Sequence, residues 1–107
     1  MSDFERLRQT ALRLPGAVEG VHRGEPAFYV AGKTFALWWQ GRTIMKLERG
    51  HQALLFEVRP EIFQPCTVGR IWSFVDLGAL DDGEVDALTR EAWATVASAR
   101  LRKSLAP

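Results

Sequence analysis

The side chains able to do chemistry are sparse and scattered. His22 and His51 are the two histidines, and Cys66 is the one cysteine. A zinc site needs three or four N, S or O ligands at close spacing, and Cys66 has no neighbouring Cys or His, so no metal is expected. Cys66 as a nucleophile would need a base such as His51 brought to it by the fold, and nothing in the spacing requires that. The inert alternative, a half-buried thiol beside Pro65, is the simpler reading. The acidic pair Asp81-Asp82 is explained by a helix N-cap. Gly32-Lys33 is a turn, and neither a Walker-type nor a dinucleotide-type glycine loop is present. Nucleophile, base and oxyanion donors cannot be assembled, so the expectation is a protein with no catalytic residues, no cofactor and no enzyme activity.

What remains is aromatic and basic. Tyr29, Trp38, Trp72 and Phe74 stand among β-forming residues, and Lys33, Arg42, Lys46 and Arg70 are interleaved with them. Aromatic planes stack on bases and cations meet phosphates, so this mixture suits nucleic acid.

The elements that would position these groups follow from periodicity. Ser2 with Glu5 reads as a capping box, and Phe4, Leu7, Ala11 and Leu14 recur at helical spacing, which predicts a helix over about 3–14 ended by Pro15-Gly16. Residues 15–25 hold three glycines without a steady period and read as a loop with room for a short extended piece. The period then becomes two. Three strands within 26–47 are separated by Gly32-Lys33 and Gly41-Arg42, short links of the hairpin kind. A helix over 49–58, a short strand at 61–64, a turn at 66–69 and a strand over 70–77 come next. Asp81 or Asp82 caps a last helix whose stripe is Val85, Leu88, Ala92, Val96 and Ala99. The order αβββαββα predicts an α+β fold of two layers: a five-stranded antiparallel sheet with helices mainly on one face.

Alternation sets the faces. If Phe35, Leu37 and Trp39 point inward, then Trp38 points out, with Tyr29, Ile44, Lys46, Trp72 and Phe74. The inward set then includes Phe28, Val30, Met45, Leu47, Ile71, Ser73, Val75 and Leu77. The outer face would be an aromatic surface containing a cation. It is either covered, by the last helix or a second subunit, or a platform for a ligand.

Size and charge bound the function. The chain has 107 residues, which suits one domain, and at 47% hydrophobic and 25% charged it is of ordinary globular composition. A net charge of +1 excludes a strongly basic nucleic-acid binder. The charge is uneven, however. In residues 26–75, Lys33, Arg42, Lys46, Arg49, Arg59 and Arg70 outnumber Glu48, Glu57 and Glu61. These cations either contact phosphates or form a solvated rim that guards sheet edges. The charged start, the lack of an apolar run of about 20 residues and the single cysteine lead us to expect a cytoplasmic protein with no membrane association.

An ordered set of short motifs completes the reading. Ala11-Leu12-Arg13-Leu14-Pro15-Gly16, Phe28-x-Val30-x-Gly32-Lys33-x-Phe35-Ala36, Ile44-Met45-Lys46-Leu47, Phe63-x-Pro65, Gly69-Arg70-x-Trp72, Val75-x-Leu77 and Ala92-Trp93 follow in order over nearly the whole chain. Together they resemble the MmcQ/YjbR family of small bacterial proteins. The resemblance implies a frataxin-like or secretion-chaperone-like α+β fold and a DNA-binding role. The family motifs cover Lys33, Lys46, Arg70 and Trp72, whereas Tyr29, Trp38 and Arg42 come from the face argument. The alternative role is an adaptor that binds a protein, a small ligand or a second copy of the chain through the aromatic face.

Overall fold

The structure is a computed structural model and describes residues 2–66 and 69–105. Helix α1 spans Asp3–Leu12 and starts where the Ser2 hydroxyl accepts from the Glu5 amide at 3.2 Å. It buries Leu7 and Ala11, with Phe4 and Leu14 packed beside them, so the stripe points as its spacing requires. Strands β1 (Ala17–His22), β2 (Glu25–Val30), β3 (Lys33–Trp39) and β4 (Arg42–Lys46) form a continuous antiparallel meander. Helix α2 (Arg49–Val58) leads to β5 (Phe63–Pro65) and β6 (Trp72–Val75). A 3-10 turn at Leu77–Ala79 precedes α3 (Asp82–Ala94) and the short α4 (Ala99–Lys103).

The architecture is the expected α+β class, with six strands rather than five among the described residues, in the order β1-β2-β3-β4-β6-β5. The added strand is β1, which pairs with β2 from Ala17↔Val30 to His22↔Glu25. It lies at the sheet edge with Val18, Glu19, Val21 and His22 exposed. With no face fully buried it carries no apolar alternation, and so it reads as loop. The opposite edge is β5, whose Pro65 lacks a ladder donor and suits an edge position. The turn expected at 66–69 falls partly on residues 67 and 68, outside the described residues.

The last helix of the sequence reading is two helices. Asp81, rather than Asp82, caps α3 by accepting from the Glu84 amide at 2.8 Å. The helix stops at Ala94 because Ser98 starts another, its hydroxyl accepting from the Leu101 amide. A good N-cap here outweighs the continued apolar spacing of Val96 and Ala99. The start of α2 is likewise capped, with the Glu48 carboxylate accepting from the amides of Gly50 and His51. Those two donors hold the Glu48 carboxyl below the usual carboxylate range.

All helices pack on one face of the sheet. The core there joins Leu7 and Ala11 of α1, Leu55 of α2, and Val85, Leu88, Ala92 and Trp93 of α3 to Phe28, Val30, Phe35, Ala36, Met45, Phe63 and Val75 of the strands. The opposite face holds a separate, smaller cluster of Ala27, Leu37, Ile44 and Cys66, with Tyr29, Trp39, Trp72 and Phe74 packed on it. That cluster contains no residue of a helix.

The face assignment fails in one strand. Pairing of β2 with β3 runs Ala27↔Leu37 and Phe28↔Ala36, then Tyr29↔Thr34, so Phe35 is passed over. This is a β-bulge, and Phe35 and Ala36 both reach the helix-side core, each fully buried. One extra residue reverses the alternation from there on. Leu37 and Trp39 therefore lie on the open face, not inward, and Trp38 lies on the helix side, not outward. Trp38 packs edge-on against Phe4 of α1, with ring centroids 5.5 Å apart. Ile71 is also not inward; it is exposed, in the turn before β6. The other strands keep the expected faces, since they hold no bulge.

Candidate nucleic-acid interface

The open face is built by cross-strand neighbours. Leu37 pairs with Ile44 at its centre, Trp39 with Arg42 at one end, and Lys46 with Trp72 at the other. Phe74 stands opposite Ile44 and Gln64 opposite Phe74. Arg42 and Lys46 are four positions apart on β4, so they share a face about 13 Å apart at ~3.3 Å per residue.

Two hairpin turns set the outer cations. Ala31-Gly32 (φ 51° and 78°) and Gln40-Gly41 (φ 51° and 76°) are both left-handed at both positions, the requirement of a two-residue type I′ turn. Glycine meets it without strain at the second position. Lys33 and Arg42 are the residues that follow, each opening a strand.

Both β4 cations lie over aromatic rings. The Arg42 guanidinium carbon is 3.7 Å from the Phe74 centroid, and its Nη2 donates to Gln64 Oε1 at 3.0 Å. Lys46 Nζ is 5.0 Å from the Trp72 centroid. Burial pushes the Lys46 ammonium below its usual range, and the charge of Lys33 adds to that. A phosphate placed here would counter the repulsion from Lys33 and favour the charged ammonium. Trp39 stacks parallel to Phe74, with centroids 6.4 Å apart and planes 16° apart. Tyr29 is half-buried; its ring lies against Gly20, where an added Cβ would come within 3.0 Å of it, and its hydroxyl donates to the Val21 carbonyl at 3.0 Å.

Of the seven side chains singled out in the sequence, Tyr29, Arg42, Lys46 and Trp72 lie on this face. Lys33 opens β3 opposite Val30, whose side chain is on the helix side, and is near enough to Lys46 to disfavour its charge. Arg70 is exposed in the turn before β6 and borders a separate shallow hollow of about 390 Å³ with Arg49, Phe56, Cys66 and Trp72. Trp38 does not belong to the face. The residue missed is Trp39, and its signal was hidden by the bulge at Phe35. Arg23 was also missed, because it lies in the β1–β2 turn that the sequence reads as loop.

Other polar clusters have structural roles. Arg6 donates to the carbonyls of Leu77 and Leu80 and pairs with Asp82, fastening α1 to the start of α3. His51 Nδ1 lies 2.6 Å from Glu91 Oε1, and Glu91 also accepts from the Glu48 amide at 3.0 Å, which ties α2 to α3. Among the described residues no three His, Cys, Asp or Glu side chains are placed to hold a metal, and no helix is long and apolar enough to cross a membrane.

Comparison with known proteins bears on the fold and the family. The crystal structure of Deinococcus radiodurans protein DR2400, a DUF419 domain, superposes with a TM-score of 0.78 at 20% identity, over 98% of this chain and 88% of that one. At that identity the likeness concerns the fold. No functionally curated protein matches the chain. The YjbR family model matches residues 12–95, from the end of α1 through all six strands to the end of α3. The chain therefore belongs to the YjbR family.

Proposed function

We propose that this chain is a non-catalytic, cytoplasmic nucleic-acid-binding domain that works through the open face of its sheet. The observation that carries the reading is the cation-on-aromatic arrangement of that face: Lys46 over Trp72 and Arg42 over Phe74, with Trp39 alongside. Arg23 adds charge at the border of this face, and Arg70 lies at the neighbouring hollow that Trp72 also borders. At the β2 corner the Glu25 carboxylate is occupied, accepting from the Gln40 amide at 3.1 Å and 3.2 Å. The +1 net charge of the whole chain thus conceals a local basic field. Helix-side acids account for the balance, with Asp81, Asp82 and Glu84 at the start of α3.

The test is the double variant Lys46→Ala with Arg70→Ala. Neither side chain belongs to the helix-side core, so the thermal midpoint should stay near that of the parent. Affinity for a labelled oligonucleotide at low salt should fall roughly tenfold, as expected when two phosphate contacts are lost. Unchanged affinity in the folded variant would remove both residues from the interface. Binding that persists unaltered at high salt would favour the adaptor role, since apolar association lacks the counterion term.

A further inference from the structure

A hollow of about 270 Å³ opens on the sheet face between Trp39 and Trp72, with Trp38, His22 and Arg23 also on its border. Leu37 and Ile44, buried and paired with one another, are its apolar centre. Trp39 and Trp72 border it at opposite ends, both half-exposed. Lys46 stands beside Trp72, and Thr34 adds a hydroxyl on the same side. The volume is just below the range of about 300–1,000 Å³ common for small-ligand pockets. A ligand that fits must be flat, apolar on its faces, polar at its edges and anionic at one end.

We propose that this hollow is a base-accepting subsite: one unpaired base of a single strand lies over Leu37 and Ile44 between Trp39 and Trp72, with an adjoining phosphate at Lys46. The inference rests on the nucleic-acid reading above and narrows it from nucleic acid in general to single strands. A base within a duplex has both faces covered by its neighbours and cannot enter a recess, whereas an unpaired base can be splayed onto aromatic and apolar surface. The charge is complementary. Lys46 is held over the Trp72 ring and Arg23 borders the same hollow, so an anion delivered there meets two cations. Besides Lys46, the polar side chains on its border are Thr34, His22 and Arg23, which can meet the edge of a base. The bulge at Phe35 is what places Trp39 here, and it thereby couples the irregularity of β3 to the site.

The experiment uses the whole chain and three fluorescently labelled probes at low salt: a single-stranded 8-mer, a hairpin duplex of the same sequence, and an abasic strand of the same length. The expected result is tightest binding of the 8-mer, at least tenfold over both other probes. Trp39→Leu and Trp72→Leu should each lose roughly tenfold for the 8-mer, while Trp39→Phe and Trp72→Phe, which keep a stacking ring, should retain most of the affinity. Thermal midpoints check that all four variants fold. Equal binding of all three probes would overturn the subsite and leave a phosphate-binding surface. Failure of every probe to bind, with or without self-association of the chain through this face in sedimentation, would overturn the subsite together with the nucleic-acid reading.

Discussion

Replacing Trp93 with Ala should bring the domain to the edge of unfolding. Trp93 heads the side chains that are fully buried, and its indole Nε1 donates to the Pro15 carbonyl at 2.9 Å. It fastens α3 to the segment that carries the chain from α1 into β1. Truncating a buried Trp to Ala costs about 3–5 kcal/mol through lost transfer energy and the cavity left behind. The Pro15 carbonyl would also lose its donor, at a further ~1–3 kcal/mol if water does not reach it. Against a total stability of about 5–15 kcal/mol for a domain, that is most of the margin. Trp93→Phe keeps much of the volume and loses the hydrogen bond, so it should fall between parent and Ala variant. Urea unfolding followed by far-UV circular dichroism measures all three. A loss below about 1 kcal/mol in Trp93→Ala would mean that the core closes around the gap and that the α3 anchor lies elsewhere.

Deleting Phe35 should cost the fold a buried ring yet leave the faces of β3 in place. The residue is fully buried, and it is also the one that the β2–β3 pairing skips. Phe35→Leu keeps an apolar side chain in the core and leaves the bulge in place, so a folded protein is expected, weakened by about 1–2 kcal/mol. Removal of the residue closes the bulge: Thr34, Ala36 and Leu37 become consecutive and stand opposite Tyr29, Phe28 and Ala27 as before, so Leu37, Trp38 and Trp39 keep their faces. What is lost is the buried ring, at about 3–5 kcal/mol, as in Phe35→Ala. The deletion variant should unfold cooperatively, at lower urea than Phe35→Leu, and keep a parent-like near-ultraviolet circular dichroism, since Trp38 stays against Phe4 and Trp39 against Phe74. A deletion variant without a cooperative transition would mean that β3 cannot hold its register without the bulge, and the placement of Trp39 on the open face would fall with it.

This strand marks the boundary between what the sequence declares and what it conceals. In β2, β4 and β6 the alternation of Phe28 and Val30, of Met45 and Leu47, and of Ser73 and Val75 names the buried face correctly, because every second residue is apolar or small and the pleat is unbroken. In β3 five of the seven residues are apolar or aromatic, Phe35 through Trp39, so either register satisfies the pattern. The choice is made by contacts that no local pattern records: Phe4 against Trp38 on one side, Phe74 against Trp39 on the other. The edge strand β1 is concealed for a different reason. Its stability comes from backbone pairing with β2 and from single contacts, such as Arg8 Nε donating to Glu19 at 2.6 Å, rather than from a buried stripe. Cations were easier to place than aromatics. Lys33 and Arg42 follow glycine turns, and a turn fixes where its flanking residues stand whichever way the strand faces.

The electrostatics of Lys46 also follow from the face rather than from the chain's total charge. Its ammonium is disfavoured by burial first and by Lys33 second. A lysine held below its unfolded value binds fewer protons when folded, so this group weakens the fold while it is protonated, and stability rises with pH through the interval between the two values. A phosphate bound beside Lys46, as proposed above, would favour the protonated form and offset that cost.

The measurement that bears most directly on the open face as a nucleic-acid surface is fluorescence anisotropy of a labelled single-stranded oligonucleotide over a salt series. The parent and the Lys46→Ala, Arg70→Ala double variant should be run side by side. For three to five cations meeting phosphates, log affinity should fall linearly with log salt at a slope of roughly −2 to −4, and loss of two contacts should flatten it by about 1.4. Absence of binding at low salt, or binding whose affinity does not change with salt, would contradict the account and return the aromatic face to the role of a protein-binding or small-ligand surface.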